Sequence, residues 1–114
     1  TVEHLVPAVA AVSSGGSVRC HFHNTRNAGY ANAVAAARCG AAALDAAVGG
    51  YGGSPFSPGA GGNVATEDLV ALLESMGITT GIDAVAAAGV GVWLAATLGH
   101  DQPPAMLSRA VPQP

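Results

Sequence analysis

Residues 17–48 read SVRCHFHNTRNAGYANAVAAARCGAAALDAAV, and the spacing of their apolar positions changes twice. In the first seven residues Val18, Cys20 and Phe22 share one parity, while Arg19, His21 and His23 share the other. Alternation with period two predicts a strand with one apolar and one polar face. From Asn24 to Gly40 the pattern turns helical. Thr25 stands where an N-cap belongs, Arg38 where a cation meets the C-terminal dipole, and Gly40 at the C′ position. The run 41–48, AAALDAAV, suits helix or strand on propensity alone. Gly40 before it and Gly49 after it leave eight residues, the length of a buried parallel strand. Strand, helix, strand is a βαβ unit, and so an α/β fold with a parallel sheet.

Upstream, Val2, Leu5, Val6, Val9 and Val12 recur at helical spacing over residues 2–13, and Pro7 limits that helix to a short or kinked form. Ser14 to Ser17 break it. Downstream of the second strand comes a glycine-rich loop. A helix then runs from about Thr66 to Met76, with Glu67 and Asp68 in its first turn and Gly77 at its end. A last helix is expected from about Asp83 to Leu98. Its apolar run from Ala84 is short for a membrane span, is interrupted by Gly89 and Gly91, and reads as a buried helix. Residues 101–114 hold four prolines and read as a poorly ordered tail after a domain of residues 1–100. Two parallel strands cannot bury both faces by themselves, so further strands are expected from elsewhere in a larger sheet or barrel.

At 114 residues the chain has the length of one small domain, or a piece of a larger one. Alanine supplies about half of its apolar residues and large apolar side chains are few, so little area is buried per residue. At ~25 cal/mol per Å² the margin for an independent fold is thin. There is no lysine, and four Arg against seven acids give a formal charge of −3. Nothing basic is clustered, which argues against nucleic acid and anionic membrane as partners. Cys20 and Cys39 fit no metal or redox spacing and read as reduced thiols, consistent with a cytoplasmic protein. An alanine-rich chain without lysine fits a GC-rich bacterial source.

Two features carry chemistry. Residues 49–63, GGYGGSPFSPGAGGN, are roughly half glycine, and Pro55, Phe56 and Pro58 stiffen the middle as they would not in a flexible linker. Such a loop brings backbone amides close to a ligand or closes over a site. The second feature is His21-x-His23. Two residues apart on a strand, the imidazoles point to one side, a geometry suited to chelating a metal. They end a parallel strand on its polar face, at the carboxyl edge where α/β sites are built. The second strand feeds the loop that ends in Asn63, whose amide oxygen is placed to close on the same centre. His4 and His100 read as structural. Asp45 reads equally as a satisfied core carboxylate or a site residue.

The segments His21-Phe22-His23-Asn24-Thr25, Ala46 to Gly53 (AAVGGYGG) and residues 54–81 (SPFSPGAGGNVATEDLVALLESMGITTG) resemble the C-terminal part of the 3-hydroxy-3-methylglutaryl-CoA lyase family. These are metal-dependent TIM-barrel lyases related to isopropylmalate synthase, and the likeness runs from about Val2 to Leu98. It implies the last two strands and their helices of a (β/α)8 barrel, incomplete without an N-terminal barrel segment. It implies that His21, His23 and Asn63 ligate Mg²⁺ or Mn²⁺, with His21 also in a catalytic role. Gly52, Gly53, Gly59, Gly61 and Gly62 would form a substrate-binding loop. The family's remaining ligand, an Asp, and its catalytic Arg lie on an earlier strand and are outside this chain. The implied reaction is cleavage of a 3-hydroxyacyl-CoA to acetyl-CoA and a 3-keto acid.

The chain departs from the family at Ser54, where the lyases carry a catalytic Cys. A thiol with pKa near ~8.5 exchanges protons at neutrality far more readily than a hydroxyl. Three readings follow: a lyase, inactive as a fragment; a related aldolase or acyl-CoA condensing enzyme of the isopropylmalate synthase kind; or a non-catalytic remnant. The expected partners are an acyl-CoA substrate and a second copy in a homodimer.

Overall fold

The computed structural model describes residues 1–53, 59 and 61–112. Helix α1 (Val2–Val12) runs eleven residues through Pro7 and is followed by strand β1 (Arg19–His21). A 3-10 turn over Thr25–Asn27 leads into α2 (Ala28–Arg38), then β2 (Ala43–Asp45). A second 3-10 turn at Val48–Gly50 opens the glycine loop. Beyond it lie α3 (Thr66–Ser75), α4 (Ala84–Thr97) and α5 (Met106–Ala110).

The two strands pair in parallel, with Arg19 opposite Ala43, Cys20 opposite Leu44 and His21 opposite Asp45. The βαβ unit read from the sequence is present, but its strands are three residues long rather than seven and eight. The reason lies in the returning loop. After His21 the backbone of β1 turns from β2 to the loop's end: Val64 N–H donates to Phe22 O at 3.3 Å and Asn24 N–H to Gly62 O at 2.8 Å. Ala47 does the same, donating to Val64 O and accepting from Thr66 N–H, both at 3.0 Å. The loop's end thus wedges between the carboxyl ends of the strands.

Helix α2 does not start at a Thr25 cap. Arg26 and Asn27 hold left-handed φ of 53° and 59°, so regular helix begins only at Ala28. The Thr25 hydroxyl instead accepts from Gly61 N–H at 3.2 Å, and Asn24 Oδ1 takes the free helix donor of Gly29 at 3.2 Å. The C-terminus follows expectation. Gly40 is left-handed (φ 88°), and Gly40 and Ala41 donate to the carbonyls of Ala37 and Ala36. Gly77 closes α3 in the same way. Asp83 caps α4, accepting from Val85 and Ala86 N–H at 2.9 Å.

Two small cores flank the sheet. Val6, Val18 and Ala36 join Cys20 and Cys39 under α1, while Ala33, Val64, Leu69 and Leu73 join Tyr30 between α2 and α3. Phe22 and Leu44 touch both cores. The expectation of a buried α4 is corrected. Only Ala88, Gly91 and Ala95 are buried, whereas Val85 and Trp93 stay 72% and 63% exposed. The tail is also corrected. Residues 103–110 fold back as α5, with Pro103, Ala105 and Ser108 buried against α3 and α4. Asp68, at the start of α3, accepts from Met106 and Leu107 N–H at 2.9 and 2.7 Å and so caps α5 from outside. No helix among the described residues is long and apolar enough to cross a membrane.

Candidate metal centre at the carboxyl ends of the strands

His21 ends β1 on its polar face, and the ring of His23 stands edge-on to it, centroids 5.3 Å apart. The pair therefore gathers on one side, as the spacing predicts. His23 Nδ1 lies 3.0 Å from the carbonyl of Gly61. A carbonyl only accepts, so in this contact Nδ1 carries the hydrogen and Nε2 keeps its lone pair in the neutral ring. A backbone carbonyl that fixes the tautomer is the usual companion of a metal-binding imidazole.

Asn63 reaches the same place through the wedge. It forms an isolated antiparallel bridge with His23, so the two residues sit side by side. Its Nδ2 donates to the carbonyl of Tyr51 at 2.9 Å, which fixes the plane of the carboxamide. The remaining atom, Oδ1, is buried without a hydrogen-bond partner among the described residues. A buried acceptor left unpaired costs roughly 1–3 kcal/mol, which a cation ligated there would recover. The donor set fits a divalent ion: an imidazole with a fixed tautomer, a second imidazole beside it, and a carboxamide oxygen with no other partner among the described residues. Among the described residues no three His, Cys, Asp or Glu side chains converge. An octahedral ion held here would complete its shell from other groups.

The loop glycines divide by what surrounds them. A Cβ at Gly52 (φ 106°) would lie 2.5 Å from Asn63 Nδ2, and one at Gly62 would lie 2.3 Å from the carbonyl of Gly50. At Gly61 it would crowd the Asn24 backbone at 3.0 Å. Gly53 and Gly59 are exposed and face open space. Ser54, Pro55, Phe56 and Pro58 lie outside the described residues. Asp45 accepts from Arg19 Nε at 2.5 Å on the outer part of the same face and is a paired carboxylate. His100 packs edge-on against Tyr51, centroids 5.4 Å apart, and His4 Nδ1 lies 2.6 Å from the Thr1 hydroxyl.

Sequence reasoning missed the groups that hold this arrangement from behind. Glu67, fully buried, accepts from Gly49 N–H with both carboxylate oxygens at 3.0 Å and takes a hydrogen bond from the Ser108 hydroxyl. Tyr30 donates to Asp68 and accepts from Ala65 N–H, each at 3.2 Å. Burial pushes its phenol up to about 12, with the Ala65 amide opposing and the Asp68 and Glu67 charges adding. The signal for Glu67 was present: it lies three residues before Val70 on the buried stripe of α3, not on the solvent side.

The family model described as HMGL-like matches residues 2–91. The (R)-citramalyl-CoA lyase of Chloroflexus aurantiacus is 52% identical over 96 residues, which are 84% of this chain and 30% of that protein. The hydroxymethylglutaryl-CoA lyase of Pseudomonas mevalonii is 52% identical over 79 residues, 69% of this chain and 26% of that protein. Among solved structures, an HMG-CoA lyase from Acinetobacter baumannii in complex with coenzyme A and 3-methylmalate superposes with a TM-score of 0.87 at 44% identity. It covers 99% of this chain and 39% of its own. The chain thus spans about a third of the length of the relatives it matches.

Proposed function

The chain belongs to the HMGL-like family, and from that membership we propose that it forms the last part of a (β/α)8 barrel whose site cleaves a carbon–carbon bond in a tertiary 3-hydroxyacyl-CoA. The relatives that are named lyases act on CoA esters of this kind, HMG-CoA and (R)-citramalyl-CoA. In the reaction the C3 hydroxyl loses its proton and the C2–C3 bond breaks. Its electron pair passes into the thioester as an enolate, C3 becomes a ketone, and a proton returned to C2 gives acetyl-CoA.

We assign His21, His23 and Asn63 to Mg²⁺ or Mn²⁺. A divalent ion there would hold the substrate's hydroxyl and carboxyl oxygens and stabilise negative charge on the former. The observation that carries the assignment is the Asn63 oxygen, buried, unpaired and fixed in plane by Tyr51 O. His21, the exposed imidazole, would hold the ion through one ring nitrogen and present the N–H of the other toward substrate oxygens. Gly61 lets the loop's end lie against the Asn24–Thr25 backbone, and Gly62 lets it lie against the Gly50 carbonyl, without side chains in the way. Gly53 and Gly59, facing open space, leave bare backbone for the acyl-CoA to approach. Ser54 stands where the lyases have their Cys and is a weaker proton donor to the enolate.

The test is release of acetyl-CoA from HMG-CoA and from (R)-citramalyl-CoA, with Mn²⁺ or Mg²⁺ and before and after chelation, by the chain joined to an HMGL-like N-terminal barrel segment. Cleavage of either ester, lost with EDTA and restored by the ion, is the expected result. Cleavage that persists through chelation would remove the metal from the proposal. Condensation of acetyl-CoA with a keto acid, without cleavage, would move the protein to the synthase branch.

A further inference from the structure

Resting on the metal centre proposed above, we infer that Ser108, on the C-terminal helix α5, is a positioning residue for the Asn63 carboxamide and acts through Glu67. Ser108 and Glu67 are both 0% exposed, and the Ser108 hydroxyl donates to Glu67 Oε1. The other side of that carboxylate is occupied by Gly49 N–H, at 3.0 Å from both oxygens. A buried carboxylate with two partners on different elements ties those elements to each other.

What it ties is a turn of two buried glycines packed against α3 and α4. Gly49 and Gly50 both have φ of 72°, and glycine populates many other conformations at no steric cost. Their shape is therefore set by the turn's own bond from Gly50 N–H to Ala47 O at 2.9 Å, by the packing of α4, and by the Glu67 carboxylate on Gly49 N–H. Tyr51 follows directly, and its carbonyl is the acceptor that fixes Asn63 Nδ2. A shift at Gly49 is thus passed through two residues to the plane of the carboxamide. The carbonyl of Gly50 also faces Gly62, so both sides of the loop move with the turn.

Helix α5 is fastened for this role. Asp68, next to Glu67, caps it through Met106 and Leu107 N–H, and Arg109 Nε donates to Pro103 O at 2.8 Å. At Gly91 helix α4 passes over the pair so closely that a Cβ there would lie 2.3 Å from Ser108 Oγ and 2.7 Å from Glu67 Oε1. The C-terminal strap therefore sets the site's third ligand, although it touches none of the ligands.

The experiment is Mn²⁺ binding to Ser108→Ala in the chain joined to an HMGL-like N-terminal segment, followed by calorimetry, with thermal unfolding measured alongside. The expected result is a loss of about tenfold in affinity, the lower range for removing an outer partner of a metal ligand. Glu67→Gln should weaken binding as well, and Ser108→Ala should add little in that background. Unchanged Mn²⁺ affinity with a lowered Tm, or losses that add in full, would overturn the inference and leave Ser108 as packing. Should the unsubstituted chain bind no Mn²⁺ even when joined to that segment, the metal reading fails and a second measurement decides on the strap. Ser108→Ala must then speed hydrogen exchange at Gly49 N–H and shift the side-chain amide resonance of Asn63. If neither moves, the coupling does not exist.

Discussion

At the scale of single residues the proposed site depends on one acceptor, Asn63 Oδ1, that no described residue satisfies. Gly52 guards it: with φ at 106° and Asn63 Nδ2 2.5 Å from where a Cβ would be, alanine must push the carboxamide out of plane. Gly52→Ala should weaken Mn²⁺ binding about tenfold, while Gly53→Ala, with open space around it, should leave it within error. Calorimetric titration of the two variants checks both. Tyr30 gives a pH test. Its phenol is raised to about 12 by burial, so the folded state favours the neutral form. That contribution is complete below the unfolded value of about 10 and is lost as pH rises toward 12. Urea unfolding between these limits should show falling stability, and Tyr30→Phe should flatten the slope. The two histidines and Asn63 were legible because period two and a loop length fix where side chains go. The supporting shell of Tyr51, Glu67 and Ser108 was not, because its bonds run to backbone groups and to a tail up to 41 positions away. Local pattern carries no information about such partners.

Among the elements, the sequence reads best where the signals are local and worst where a neighbour decides. Gly40 and Gly77 end their helices as expected, since a left-handed C′ residue is a local demand. Thr25 fails as a cap because the returning loop claims its hydroxyl, and the strands are short because that loop claims their ladder bonds. Helix α4 shows the same contrast within one element. Gly89 and Gly91 look alike in the sequence, both inside an apolar helix and both costing about 1 kcal/mol against alanine. Gly89 has nothing within 4 Å, whereas Gly91 lies against the Glu67–Ser108 pair. Gly89→Ala should therefore stabilise by about 0.5–1 kcal/mol. Gly91→Ala should destabilise by about 1–3 kcal/mol, because overpacking a rigid polar pair exceeds any gain in helix propensity. Thermal unfolding of the two variants separates them, and equal shifts of the same sign would mean that α4 does not approach the pair as described. The tail was misread because proline count is a poor guide once a capping carboxylate such as Asp68 is supplied from another helix.

For the molecule as a whole, the question is what covers its sheet. Both edges of the β1–β2 pair are bordered by apolar grooves. One is lined by Val2, Leu5, Val9 and Phe22 beside β1, the other by Leu44, Leu69, Leu73 and Ile78 beside β2. Leu5 and Val12 on α1 and Val85 and Trp93 on α4 are more than half exposed. Apolar surface in that amount, together with strand edges that no further strand among the described residues pairs, is what the proposed barrel would bury. In the proposed barrel, a preceding strand would add at the free edge of β1 and the first strand of the barrel at the free edge of β2, closing the sheet. Residues 1–114 made alone should then be a marginal fold. They should bind ANS and unfold at low urea, and their affinity for Mn²⁺ should fall well short of that of a polypeptide carrying an HMGL-like N-terminal segment. Adding that segment in trans should suppress ANS fluorescence, since the grooves would be filled by strands rather than dye. If the isolated chain instead unfolds cooperatively, binds no ANS and runs as a monomer, its two strands suffice by themselves. The barrel would then have to be given up, whatever the fate of the metal centre.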